Sequence, residues 1–126
     1  MVLADGCFDP IHIGHIAYFK AASEFGRPLM VRVAGDSAIF EKGRVPFQDQ
    51  PERLVTVMNI AKVDGVCAAP TLAEAILKYK PTHLVKGQDW QGKLPEDVVA
   101  ACLQVGAQMV FVNTQARTSS ERLLST

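Results

Sequence analysis

Two histidines, two glycines, a cysteine and an acid crowd into Gly6-Cys7-Phe8-Asp9-Pro10-Ile11-His12-Ile13-Gly14-His15. Residues of these types, gathered near a helix start, are suited to holding an anion and stabilising charge that develops on it. Phe8 and the apolar residues before Asp5 read as the end of a strand, Asp9-Pro10 as a turn, and Ile13 to Phe25 as an amphipathic helix. His12 and His15 then lie on one face of the first helical turn. The free backbone N–H groups and the positive end of the helix dipole already favour negative charge there. Ile13, Ile16, Ala17, Phe19 and Ala21 mark the side of the helix expected to be buried.

Other chemistry-bearing residues lie further along. Lys42 and Arg44 flank Gly43 in an irregular stretch from Glu41 to Gln48, expected to be mobile and to face a ligand. Their plainer reading is a solvated charged loop. Arg53 lies on a helix as a phosphate contact, or is satisfied by a neighbour such as Asp49. Lys86-Gly87 follows a strand, and Asp89 and Trp90 come directly after it; Trp90 either lines a site or packs the fold. Arg117 precedes Thr118, Ser119 and Ser120. Cys7, Asp9, His12 and His15 are also four possible zinc ligands, although their spacing matches no structural zinc finger. Asp9 has a further simple role in capping the helix.

The elements that must position these groups alternate along the chain. Strand-like runs cover Val2 to Ala4, Leu29 to Ala34, Gly65 to Ala68, His83 to Val85 and Met109 to Val112. Helical patterns at Ile13–Phe25, Gln50–Lys62, Leu72–Tyr79 and Pro95–Val105 fill the gaps between them. Such alternation predicts one α/β domain over residues 1–126: a Rossmann-like three-layer α/β/α sandwich around a five-stranded, mostly parallel sheet with right-handed crossovers. In sheets of this kind ligands bind at the carboxyl ends of the strands, where the strand order reverses.

Composition narrows the partners. The 126 residues are 48% hydrophobic, enough for one core without staples. Thirteen basic and thirteen acidic side chains cancel, with no long run of either sign, so the footprint of a nucleic-acid or membrane-surface protein is missing. No apolar run approaches a membrane span. Three widely spaced cysteines, with no apolar signal segment ahead of them, fit thiols in a reducing cytoplasm. Neither Gly-x-x-x-x-Gly-Lys-Ser/Thr nor Gly-x-Gly-x-x-Gly occurs, which argues against a P-loop NTPase and a dinucleotide dehydrogenase.

Taken together, Gly6-x-Phe8-Asp9 and His12-x-Gly14-His15 resemble the signature of the cytidylyltransferase-like nucleotidyltransferases. Lys86-Gly87-Gln88-Asp89-Trp90 is similar to the Lys-Gly-x-Asp-aromatic segment of heptose-phosphate adenylyltransferases. Asp89-Trp90-x-Gly92-Lys93 is also similar to glycerol-3-phosphate cytidylyltransferases, and Arg117-Thr118-Ser119-Ser120 to the closing motif of the family. Cys7 stands where threonine or valine is more usual, and the closing motif lacks the glycine-containing insertion of the glycerol-3-phosphate enzymes, which leans away from that acceptor. The base, CTP or ATP, stays open.

The resemblance implies transfer of CMP or AMP from an NTP to a small phosphorylated acceptor, with Mg²⁺ on the triphosphate and pyrophosphate as product. It assigns catalysis to His12, His15, Lys42 and Arg117. Nucleotide contacts fall to Gly6, Cys7, Phe8, Gly14, His15, Lys86, Gly87, Asp89, Arg117, Thr118, Ser119 and Ser120; acceptor contacts fall to Asp9, Arg44, Arg53 and Trp90. Homodimers are common in the family. The chain ends at Thr126, soon after the closing motif, and one expectation is an origin in a longer polypeptide carrying a kinase or second transferase. The alternative from another class is a noncatalytic nucleotide sensor using the same pocket.

Overall fold

The computed structural model describes residues 1–114. Short apolar runs make the strands β1 (Val2–Gly6), β2 (Leu29–Val33), β3 (Gly65–Cys67), β4 (His83–Gly87) and β5 (Gln108–Val112). Between them lie the helices α1 (Ile13–Ser23), α2 (Asp36–Glu41), α3 (Gln50–Met58), α4 (Leu72–Tyr79) and α5 (Glu96–Val105), with a 3₁₀ turn at Gln88–Trp90. Local chemistry sets several starts: Asp49 accepts from Glu52 N–H at 3.0 Å to cap α3, and Thr71 accepts from Glu74 N–H at 3.1 Å to cap α4. Gly106, left-handed at φ 75°, closes α5.

All five strands are parallel, in the order β3-β2-β1-β4-β5. Side chains alternate between faces along each strand. Val2 and Ala4 join Tyr18, Phe19 and Val57 in a core beneath α1 and α3. Leu3 and Leu84 join Ile76, Val98 and Cys102 beneath α4 and α5. The fold is therefore the expected Rossmann-like α/β/α sandwich.

The sheet opens at one place. β1 pairs with β2 as far as Gly6↔Val33, and β4 with β5 as far as Gly87↔Val112, but β1–β4 pairing stops at Ala4↔Val85. The Tyr18 hydroxyl fills the gap, accepting the Asp5 N–H at 3.0 Å and donating to the Val85 carbonyl. Two backbone groups freed by the parting strands are thereby satisfied. Burial pushes the Tyr18 phenol well above its ordinary pKa, so it stays a neutral donor.

Several boundaries differ from the sequence reading. The first helix ends at Ser23 and the third at Met58, while β1 and β4 each run two residues further than expected. α2 was not foreseen; it takes up Glu41, the first residue of the expected loop. The buried side of α1 is Gly14, Tyr18, Phe19 and Ala22, whereas Ile13 is 67% and Ile16 41% exposed and Ala17 is exposed too. That helix is apolar almost all round, so its periodicity singles out no face.

Candidate active site at the parting of two strands

Gly6 ends β1 beneath the Phe8 ring, where an added Cβ would come within 2.8 Å of the ring. Phe8 takes a left-handed backbone, φ 55°, unusual for a bulky residue and tolerated where packing over-determines it. Its ring is buried, meeting Phe19 at 5.1 Å and His15 edge-on at 5.0 Å. Phe8 is thus not the end of the strand but the wall behind His15.

The two histidines cap α1 themselves. His12 Nδ1 accepts from Gly14 N–H at 3.1 Å, and His15 Nδ1 accepts from His12 N–H at 3.2 Å, a reciprocal capping box built from imidazoles. The cap is therefore His12 and not Asp9. The rings stack with centroids 3.7 Å apart and planes 27° apart. With both Nδ1 atoms accepting from the backbone, the neutral tautomer of each ring carries its proton on Nε2. Both rings thus stand at the positive end of α1.

Asp9 is fully buried and clasps the segment after α2. It accepts from Phe47 and Gln48 N–H at 2.8 Å each and pairs with Arg44 at 2.7 Å; Arg44 also donates to the Asp9 carbonyl. Burial pushes its carboxyl pKa up, but Arg44 and the two amides outweigh that and hold it below the ordinary range. The loop expected to be mobile is thus pinned to the β1–α1 turn, with Lys42 exposed beside it. Arg53 is also fully buried. It donates to the carbonyls of Cys7, Ala34 and Gln48 at 2.7–3.0 Å and pairs with Asp36 at 2.6 Å, not with Asp49. Asp9 and Arg53 thus tie the turn, α2 and α3 together.

On the other face of the opening, Asp5 accepts from Arg32 at 2.8 Å and from Lys86 at 3.0 Å. Arg32 is fixed further by the carbonyls of Ala69 and Pro70 at 2.9 Å. The Lys86 ammonium lies 4.5 Å from the centroid of the Trp90 ring, within cation–π range. Gly87 leaves room for Asp89, whose Oδ1 would be 2.7 Å from an added Cβ; Asp89 and Trp90 are exposed.

The structure thus brings Gly6, Cys7, Phe8, Gly14, His12 and His15 together at the end of β1. It sets Lys86, Gly87, Asp89 and Trp90 at the end of β4, and pins Arg44 against the turn. Arg117, Thr118, Ser119 and Ser120 lie outside the described residues. The zinc alternative does not assemble: Asp9 is committed elsewhere, and among the described residues no three His, Cys, Asp or Glu side chains could hold a metal ion. Sequence reading missed Asp5, Arg32 and Tyr18. A signal existed for the first two, one charge near the end of each otherwise apolar strand, paired in register at Asp5↔Arg32. No helix among the described residues is long and apolar enough to cross a membrane.

A parallel sheet whose strand order reverses between β1 and β4, with cations and imidazoles at that point, defines a Rossmann-like fold of the nucleotide-binding class. A family model described as cytidylyltransferase-like matches residues 3–121, and the chain belongs to that family. It is 33% identical over 95% of its length to the bifunctional protein HldE of Aliarcobacter butzleri, covering 26% of that protein. Against the same-named protein of Chromohalobacter salexigens identity is 30% over the whole chain and 27% of the relative. The chain thus spans about a quarter of the length of these relatives. It is 32% identical over 70% of its length to an FAD synthase of Thermoplasma volcanium, covering 63% of it. Among solved structures, the lipopolysaccharide core biosynthesis protein of Thermoplasma volcanium superposes with TM-score 0.73 and 28% identity, over 93% of this chain and 97% of that one.

Proposed function

We propose that the chain transfers a nucleotidyl group, CMP or AMP, from an NTP to a small phosphorylated acceptor and releases pyrophosphate. The observation that carries this reading is the imidazole capping box, which fixes His12 and His15 at a helix N-terminus beside the parting of β1 and β4. A phosphate monoester, with a second pKa of about 6, is already an anionic nucleophile at neutral pH and needs no general base. One of its oxygens attacks the α-phosphorus and forms the new P–O bond; the bond from the α-phosphorus to the bridging oxygen breaks, and pyrophosphate leaves with the electron pair. Negative charge grows on the non-bridging oxygens and the leaving group, where fixed donors lower the barrier.

His12 and His15 supply two such donors, and Lys42 a third from the pinned loop. On the sequence pattern, Arg117 joins them, with Ser119 and Ser120 serving the β- and γ-phosphates. Mg²⁺ arrives with the NTP as part of the substrate. The carboxylates suit that arrangement, since Asp5 and Asp9 are each neutralised by protein cations and are poor candidates for a resident metal site. A cytoplasmic setting is part of the proposal, supported by cysteines that are free thiols.

The test is pyrophosphate release with Mg²⁺ from CTP, ATP, GTP and UTP, each against glycerol 3-phosphate, heptose 1-phosphate, other sugar 1-phosphates and FMN. One NTP and acceptor pair should turn over well above the rest. A blank matrix together with tight nucleotide binding would make the chain a nucleotide sensor instead.

A further inference from the structure

Resting on that reading, we propose that Arg32, which belongs to none of the sequence motifs, is a positioning residue: acting through Asp5, it holds the Lys86 ammonium ready for a phosphate of the bound nucleotide. The observation is a chain of contacts across three strands. Arg32 donates from Nε to the Ala69 carbonyl and from one Nη to the Pro70 carbonyl, both at 2.9 Å, and from the other Nη to Asp5 Oδ1 at 2.8 Å. Asp5 Oδ2 accepts from Lys86 Nζ at 3.0 Å, and that ammonium lies 4.5 Å from the centroid of the Trp90 ring. A planar guanidinium suits the first place in this chain, because its rigid fork matches acceptors in fixed directions and an ammonium could not meet them together. Arg32 is 8% exposed and bonds from each of its nitrogens, so it acts on a ligand only through its neighbours. Lys86 is the member that meets one, since it lines a cavity with Trp90 and immediately precedes Gly87 at the carboxyl end of β4, where ligands of such sheets bind.

The chain matters because its members differ in stiffness. A carboxylate turns easily about its last bond, and a lysine has a long, flexible stem. With Oδ1 fixed through Arg32 to the backbone between β3 and α4, Oδ2 has one place to be, and the ammonium is held there. Net charge does not do this work: Arg32 and Lys86 are balanced by Asp5 and by Asp97, which lines the same cavity. Placement is what remains. A cation immobilised before the ligand arrives spares binding the cost of ordering it.

Trp90 is the sole tryptophan, so its emission reports the nearby ammonium without any turnover. In the full chain without ligand, Arg32→Met should reproduce at least about half of the emission change that Lys86→Met causes. Arg32→Lys should do the same, because it keeps the charge but not the fork. Equilibrium binding of Mg·CTP and Mg·ATP gives the second readout. For whichever nucleotide binds, Arg32→Met should raise Kd about fivefold, the scale of ordering one long side chain, and Lys86→Met at least as much. Added to Lys86→Met, Arg32→Met should weaken binding by less than a further twofold, since members of one network do not act additively. Asp5→Asn interrupts the same chain in its middle and should match Arg32→Met in both readouts, which carries the test if Arg32→Met fails to fold. An emission that neither Arg32→Met nor Asp5→Asn changes overturns the positioning role. So does a fivefold loss that persists in the Lys86→Met background, the behaviour of a merely structural arginine. Nucleotide binding by the native chain that both variants retain in full overturns the role of Arg32 alone, whereas binding of neither nucleotide by the native chain contradicts nucleotidyl transfer itself.

Discussion

At the scale of single residues, His15 carries two duties that can be separated. It completes the cap of α1 through Nδ1, and it is the proposed charge-stabilising donor through Nε2. Glutamine is an accepted partner at this capping-box position, so His15→Gln should keep the helix capped. We expect kcat to fall by about 10²–10³, the scale of losing one preorganised donor, with a nearly unchanged melting temperature; a change under threefold would remove His15 from the mechanism. Asp9 makes a different prediction. Asp9→Asn leaves Arg44 facing a neutral amide in a buried place, a loss of about 3 kcal/mol at pH 7. The folded carboxyl is held below its unfolded value near about 4. Its contribution is therefore complete above that pH and lost as pH falls through the folded value. Melting curves of both proteins from pH 7 to pH 3 should converge below about pH 4, and a gap that stays constant or widens would contradict the clasp. The histidine pair was legible because its members are three residues apart. The partners of Asp9 were not, because Phe47 and Gln48 are 38 and 39 residues away and contribute backbone amides that any residue would have.

At the scale of elements, the site exists because β1 and β4 part after Ala4 and Val85 and Tyr18 bridges the gap. Tyr18→Phe should lower stability by about 1–3 kcal/mol, since Asp5 N–H and the Val85 carbonyl both lose a buried partner. Chemical denaturation measures that loss, and a change under about 0.5 kcal/mol, the range of ordinary surface substitutions, would mean that the hydroxyl is dispensable. Arg53→Lys distinguishes the structural role from the acceptor contact first expected. A lysine cannot span Cys7, Ala34, Gln48 and Asp36 at once, so the melting temperature should drop markedly while the acceptor KM of the folded protein changes less than twofold. A raised KM at unchanged melting temperature would restore the contact. The alternation of strands and helices was readable from apolar runs and their punctuation. The face of α1 was not, since Ile13, Ile16 and Ala17 are as apolar as the Tyr18 and Phe19 that actually pack. The six-residue α2, lying just after Gly35 and ending at Glu41, is too short to give a periodic signal.

At the scale of the whole molecule, sequence order alone implied the parallel sheet, and with it the rule that ligands gather where the order reverses. Which charges meet there was hidden, because Asp5, Arg32 and Lys86 come from three strands and are joined only by register. Net neutrality gives the fold no long-range pull on an anion, so recognition must come from these local sets: imidazoles and the pinned loop on one side, the Asp5–Lys86 compartment on the other. An NTP and a phosphorylated acceptor meeting between them is the central claim. The most direct measurement follows the α-phosphorus, using NTP labelled there, Mg²⁺ and the acceptor identified in the pyrophosphate screen. The account predicts that the label moves onto the acceptor with one pyrophosphate released per label transferred. Recovery of the label as free NMP at the same rate with or without acceptor, or transfer of the γ-phosphate in its place, would contradict it.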